Sequence, residues 1–268
     1  MNTVVVIPTY NERANVLPLV ERCLALPARP DLFFVDDNSP DGTGELLESL
    51  RAGHPGLRVL HRPGKLGLGS AYRQAFRLLL KEPYDCFVEM DADLSHRPES
   101  LPDLFHAARE ADLVIGSRYS AGGGVKNWCP FRLLLSRTAN HIARRLLGLT
   151  VMDATAGFRC YRRDLLAALD HLDIRSNGYA FQVEMTYFSQ LLGFRLREVP
   201  IVFEDRLRAA SKMCRSEITR AAVTLLRLLL HRLSRQGAAD RLRLAAEGLG
   251  PKVPPRPAGL CEQPPVDF

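Results

Sequence analysis

Thr3-Val4-Val5-Val6-Ile7-Pro8-Thr9-Tyr10-Asn11-Glu12 sets five strand-forming residues in a row and follows them at once with a polar loop. A strand with one wet face alternates apolar and polar side chains, so an unbroken apolar run needs cover on both faces, as in parallel sheets with helical crossovers. The same kind of run recurs at 32–35, 57–60, 86–90 and 113–115, with helix-period segments of ten to sixteen residues between them. The reading is an α/β fold, a mainly parallel sheet with helices on both faces. Ligands of such sheets lie beyond the carboxyl ends of the strands. That rule brings Pro8 to Glu12, Asp36-Asp37-Asn38-Ser39 and Asp91-Ala92-Asp93 to one edge.

Further along, the glycine run at 121–124 reads as a loop. It is followed by a helix over 131–147, a strand near 158–161, a helix over 181–192 and a strand over 196–203. A last amphipathic helix is predicted over 216–235. Beyond it, Pro251, Pro254, Pro255, Pro257, Pro264 and Pro265 argue for a disordered tail. The expected division is a catalytic domain over 1–215, the amphipathic helix over 216–236 and the tail over 237–268.

The chain of 268 residues is 46% hydrophobic and 25% charged, the composition of a soluble globular protein. Its net charge of +6 is concentrated at 206–235, where eight Lys and Arg face one acid, Glu217. No recognition helix, RNP motif or zinc-finger spacing accompanies the charge, so nucleic acid is excluded in favour of phosphate or an anionic lipid surface. The six cysteines form no CxxC pair, which argues against a disulfide framework and for a reducing cytoplasm. No charged leader precedes the first strand. The most apolar stretch, 221–230, is broken by Arg227 and falls well short of the ~20 residues of a membrane span. Localisation is expected to be cytoplasmic and peripheral, on the cytoplasmic face of a membrane.

Two carboxylates one residue apart at a strand end can both face a hard divalent cation, Mg2+ or Mn2+, whose other positions go to a diphosphate and water. Asp91 and Asp93 alone would equally suit an acidic turn capping the next helix. Their context is Pro8-Thr9-Tyr10-Asn11-Glu12, Val35-Asp36-Asp37-Asn38-Ser39-Pro40-Asp41-Gly42-Thr43, Lys65-Leu66-Gly67-Leu68-Gly69-Ser70-Ala71 and Asp91-Ala92-Asp93-Leu94-Ser95-His96. With each segment in order and in its own βα unit, the chain resembles the family 2 glycosyltransferases of GT-A fold. Gly116-Ser117-Arg118-Tyr119, Asp153 to Arg162, Gly178 to Met185, and Phe203-Glu204-Asp205-Arg206 with Ser211-Lys212 are similar to the dolichyl-phosphate (polyprenyl-phosphate) mannosyltransferase branch. The resemblance covers about residues 3–235.

This resemblance implies a GT-A nucleotide-diphospho-sugar transferase that moves mannose from GDP-mannose to dolichyl or polyprenyl monophosphate. Pro8, Tyr10, Glu12, Val35 and Asp37 are implied to hold the nucleoside, and Asp91, Ala92 and Asp93 the metal and diphosphate. Arg118, Arg206 and Lys212 match positions that face phosphates, where a guanidinium can bind two oxygens at once, and Arg132 is expected to help Arg118 hold the acceptor phosphate. Where the family has Gly three residues after the motif arginine, this chain has Ala209. Lys65 to Ala71 lacks the GK[ST] of a phosphate loop and reads as a helix start packed near the donor. Glu89 and Glu184 read as buried, paired carboxylates.

A phosphate acceptor is already an anion, so no tuned general base is required and one displacement inverts C1. The alternatives are a polyprenyl-phosphate glucosyltransferase using UDP-glucose and a non-catalytic, membrane-peripheral nucleotide-binding protein. A sugar-1-phosphate nucleotidyltransferase would need a Gly-rich, Arg-containing loop where Pro8 to Glu12 stands. In the last helix Arg220, Thr224, Arg227, His231 and Arg235 form one polar stripe, with leucines around the rest. This suggests an in-plane helix on an anionic membrane surface, with a core helix as the alternative. The helix over 131–147 offers a second such face. Any membrane-anchoring partner stays open.

Overall fold

The computed structural model describes residues 1–205, 215–234 and 236–250. Its centre is a seven-stranded sheet in the order β3-β2-β1-β4-β7-β5-β8. The strands are β1 (Thr3–Thr9), β2 (Asp31–Asp36), β3 (Leu57–His61), β4 (Cys86–Glu89), β5 (Leu113–Ser117), β7 (Arg159–Arg162) and β8 (Leu196–Pro200). β1 runs parallel to β2 and β4, β2 to β3, and β5 to β8. Only β7 breaks the pattern, lying antiparallel between β4 and β5. The segment expected as one strand over 196–203 divides after Pro200. β8 stays in the main sheet, while β9 (Val202–Glu204) pairs in parallel with β6 (Gly124–Lys126).

Why the strand runs are unbroken is visible in the core. Val4 and Val6 join one hydrophobic cluster and Val5 and Ile7 another; Phe33 and Val35 oppose Leu32 and Phe34 in the same way. One face is covered by α1 (Arg13–Leu24), α2 (Thr43–Arg51) and α4 (Leu101–Ala107). The other is covered by α3 (Leu68–Leu79), α6 (Arg163–Asp170) and α7 (Tyr179–Leu191), with α5 (Pro130–Leu147) alongside. Truncating a fully buried ring such as Phe87 to Ala would cost ~3–5 kcal/mol.

The last two helices revise the sequence reading. α8 (Arg215–Leu233) packs on α5 and α7, and it turns part of its polar stripe inward. Thr224 hydrogen-bonds Ser176, Arg227 pairs with the buried Glu184, and His231 bonds both Tyr187 and Asp240. Leu228 is buried beside them, while Val223, Leu226, Leu230 and Leu233 are exposed. A helical wheel cannot show that the core offers the stripe its partners. Residues 236–246, expected to fall almost wholly in a disordered tail, form α9 (Gln236–Ala246), which buries Leu244 in the same core cluster as Leu228. Among the described residues no helix is long and apolar enough to cross a membrane.

Candidate active site

β2, β1 and β4 are neighbours, so the loops after them leave the sheet side by side. Just past these strands, Asn11, Asn38 and Leu94 have φ of 60°, 58° and 64°. Asn tolerates that left-handed backbone, but for Leu it costs about 1–2 kcal/mol and needs a cause. The Asp93 carboxylate supplies one by accepting from the backbone N–H of Ser95 at 2.9 Å and from its hydroxyl at 2.5 Å. Next to it the Asp91 N–H donates to His96 Nδ1 at 3.1 Å, a bond that needs a neutral imidazole. Burial, opposed by Asp93, lowers the His96 pKa to about 4 and keeps it so.

The Asp91 side chain stays 37% exposed at the edge, with Ala92 buried between the two acids. Two hard carboxylates at an open edge suit Mg2+ or Mn2+. Among the described residues no group of three or more His, Cys, Asp or Glu converges on a metal position.

Asp36 and Asp37 are neighbours in sequence with different work. Asp36 accepts from the Thr9 hydroxyl at 3.1 Å and from the Ser39 N–H and hydroxyl at 3.1 and 2.5 Å, which ties two strand ends together. The Asp37 carboxylate instead pairs with Arg62 Nη1 at 3.0 Å, out of line for a hydrogen bond, and its buried Oδ1 has no hydrogen-bond partner. Burial raises the Asp37 carboxyl, against the pull of Arg62. Arg62 is itself fixed by donating to Ser70 Oγ at 2.9 Å. Lys65 Nζ lies 4.3 Å from the centroid of the Tyr10 ring.

Pro8, Tyr10, Val35 and Asp37 are thus brought together. Val35 is wholly buried and offers only its backbone, whereas Tyr10 is exposed. Glu12 is turned to its own helix start, accepting from Asn15 Nδ2 at 2.6 Å. Arg62 was missed by sequence reasoning and Lys65 was given no role. The available signal was their position in the loop that follows β3. Gly69 has a packing role, since a Cβ there would come within 2.7 Å of the Ser176 carbonyl oxygen.

A second cluster adjoins this edge. The His96 ring stacks on Phe158 at 5.1 Å and meets Phe203 edge-on at 5.5 Å, and Phe203 in turn packs against Trp128 and lies under Arg118. Arg118, at the end of β5, grips Asp153 through Nε at 2.7 Å and Nη2 at 2.6 Å and also donates to Thr155. Burial works to raise the Asp153 carboxyl, but the charge and hydrogen bonds of Arg118 hold it below the usual range. Arg132 pairs with Asp205, and both guanidiniums lie over the Trp128 ring, at 5.4 and 4.2 Å.

Of the phosphate-facing arginines expected from sequence, Arg118 and Arg132 are therefore brought together, but each already has a carboxylate partner. Arg159 is wholly buried and donates to the carbonyls of Ala154, Ala156 and Gln182 and to Thr186, which pins the loop that carries Asp153 and Thr155. Arg206, Lys212 and Ala209 lie outside the described residues.

An acidic strand edge beside an aromatic-lined arginine cluster, on a mainly parallel sheet, defines a glycosyltransferase of GT-A type. The chain belongs to glycosyl transferase family 2, whose model matches residues 4–170. It is 45% identical to an undecaprenyl-phosphate mannosyltransferase of Micrococcus luteus over 85% of this chain and 93% of that protein. It is 47% identical to a polyprenol monophosphomannose synthase of Mycolicibacterium smegmatis over 82% of this chain and 83% of that one. Among solved structures, glucosyl-3-phosphoglycerate synthase of Mycobacterium tuberculosis, in complex with Mn2+, UDP-glucose and phosphoglyceric acid, matches with a TM-score of 0.59 at 20% identity, covering 86% of this chain and 79% of that one.

Proposed function

We propose that this glycosyltransferase moves mannose from GDP-mannose to the monophosphate of a dolichol-type polyprenol, with inversion at C1. Two relatives named for mannosyl transfer to polyprenyl phosphates support the sugar and the acceptor. The observation that carries the chemistry is the meeting of Arg118 and Arg132 over Trp128, beside the Asp91 and Asp93 edge. Asp37 and Tyr10 hold the base, with Arg62 and Lys65 as their cationic neighbours. Mg2+ or Mn2+ held by Asp91 and Asp93 supplies neutralisation of the diphosphate leaving group, and the Mn2+ of the solved neighbour supports a divalent ion. Arg206 and Lys212 are assigned to the same diphosphate.

Arg118 and Arg132 receive the acceptor phosphate by sharing their donors with Asp153 and Asp205. That phosphate attacks as the anion it already is, so positioning replaces base catalysis. Glu89, which burial raises to about 7, is enclosed and bonded to Gln182, away from the open edge.

The acceptor is a lipid. Phe131, Leu134, Ile142 and Leu146 of α5 and Val223, Leu226, Leu230 and Leu233 of α8 leave apolar side chains outward on two packed helices. We assign this face to the surface of an anionic bilayer, on its cytoplasmic side.

The test is to incubate the protein with GDP-mannose or UDP-glucose, a polyprenyl phosphate and Mn2+ or Mg2+, and to identify the lipid-linked sugar. Mannose is expected, lost on chelation. Glucose as the transferred sugar, or transfer unaffected by chelator, would overturn the reading.

A further inference from the structure

Arg137, Asn140, His141 and Arg144 recur at spacings of three, one and three on α5, so they share one face of the helix. With Arg118, Ser120 and neighbouring residues they line a pocket of about 360 Å³ between α5 and the loop after β5. Among the described residues no acid lines it. Arg118 has Asp153, but Arg137 and Arg144 have no carboxylate partner among the described residues; Arg137 only lies 5.8 Å over the Tyr119 ring. The charge of Arg137 and Arg144 is left without a counter-ion among the described residues.

Three buried polar atoms of the lining residues have no hydrogen-bond partner: Arg144 Nε, Ser120 Oγ and Asn140 Oδ1. Asn140 is 2% exposed, and its Nδ2 is committed to Thr155 Oγ1 at 2.9 Å and to the Ser136 carbonyl. Its orientation is thereby fixed, with Oδ1 as the remaining acceptor. Buried donors and acceptors in native folds are normally satisfied, and an exception calls for a ligand or water. The two unmet donors, beside three guanidiniums, suit phosphate oxygens, and the unmet acceptor suits a hydroxyl carried by the same ligand. Arg132, the other arginine over Trp128, does not line this pocket.

We propose that this pocket is a second phosphate-binding site, apart from the donor diphosphate and adjoining the acceptor position over Trp128 through the shared Arg118, for a phosphate ester that carries a hydroxyl. It borders the exposed Leu134 and the outward apolar face of α5, so a phospholipid headgroup and a free phosphate ester both fit its chemistry. The site rests on its own geometry and not on the transfer reaction proposed above.

The experiment compares the full chain with Arg137→Gln/Arg144→Gln, both saturated with GDP and Mn2+. Isothermal titration with glycerol phosphate should show binding in the wild type that is at least tenfold weaker in the double variant. Melting temperature, and turnover with a short water-soluble polyprenyl phosphate, should stay within twofold or a few degrees of wild type. Flotation with phosphatidylcholine vesicles, with and without phosphatidylglycerol, separates the sources. A phosphatidylglycerol-dependent loss in the variant assigns the site to a headgroup, and unchanged flotation assigns it to the soluble ester. Equal affinity for glycerol phosphate in both proteins overturns the proposal. So does a loss of soluble-acceptor turnover in proportion to the loss of binding, because it would merge the pocket with the reacting phosphate's site.

Discussion

The acidic edge proposed for the donor and the arginine cluster proposed for the acceptor are both assigned anionic ligands, yet they are built in opposite ways. The donor edge consists of short loops leaving adjacent parallel strands, and it presents carboxylates, so it can approach a diphosphate only through a cation. The arginine cluster is assembled from β5, the 153–155 loop, α5 and Trp128, and it presents cations whose charge is already balanced by Asp153 and Asp205. An isolated buried guanidinium would be prohibitively costly to desolvate. The carboxylates Asp153 and Asp205 offset that cost, and an arriving phosphate has only to share the donors of Arg118 and Arg132. The same charge balance recurs in miniature at Asp37, whose carboxylate is paired with Arg62.

The largest effect should come from breaking the donor edge. Asp93→Ala removes a charged ligand and should lower turnover by roughly a thousandfold or more, several kcal/mol of transition-state stabilisation. Its melting temperature should stay within a few degrees, because an edge group is lost and not a core one. Wild-type turnover in this variant would break the comparison at its first term.

Arg118→Ala should fail on both counts, activity and stability. It leaves Asp153 buried and unpaired, at about 3–5 kcal/mol, a fall in melting temperature on the order of 10 °C. Arg118→Met/Asp153→Leu, an apolar replacement of both partners, should recover most of the stability and none of the transfer. If transfer returns with stability, Arg118 is a structural residue only.

Acid offers a sharper view of the same pair. Because Arg118 holds Asp153 below the ordinary carboxylate range, the ionised carboxylate stabilises the fold above its unfolded-state value, and that stability is lost as pH falls through the depressed folded value. The gap in denaturant midpoint between wild type and Asp153→Asn should be wide at pH 7 and close in acid. A gap independent of pH would remove the ion pair as its cause.

A smaller effect is expected at Arg62. Arg62→Met should raise KM for the donor about tenfold, ~1.4 kcal/mol, with little change in kcat, since it removes the counter-charge behind Asp37 and no reacting group. A changed kcat with constant KM would move Arg62 out of the nucleoside pocket.

Smallest for the isolated enzyme should be Leu226→Glu/Leu230→Glu, which alters outward side chains only. Flotation with anionic vesicles should fall while the melting temperature holds, whereas Leu228→Glu, at a buried position of the same helix, should unfold the protein. Unchanged flotation would detach this face from the membrane.

The βα frame and the acidic loops were legible in the order of amino acids, because both are local: an unbroken apolar run demands two covered faces, and the residue after a strand is bound to emerge at its end. The sequence also singled out Arg118 and Arg132, through motifs that sit at strand and helix ends, but not the aromatic rings they meet. Tertiary structure decided everything that depends on a partner far along the chain. Arg118 finds Asp153 thirty-five positions away, β7 enters antiparallel between β4 and β5, and the stripe of α8 turns inward because Glu184 and Tyr187 wait there. Charge periodicity is the same for a helix that faces water and one that faces buried carboxylates. Only the three-dimensional packing supplies the counter-charge that chooses between them.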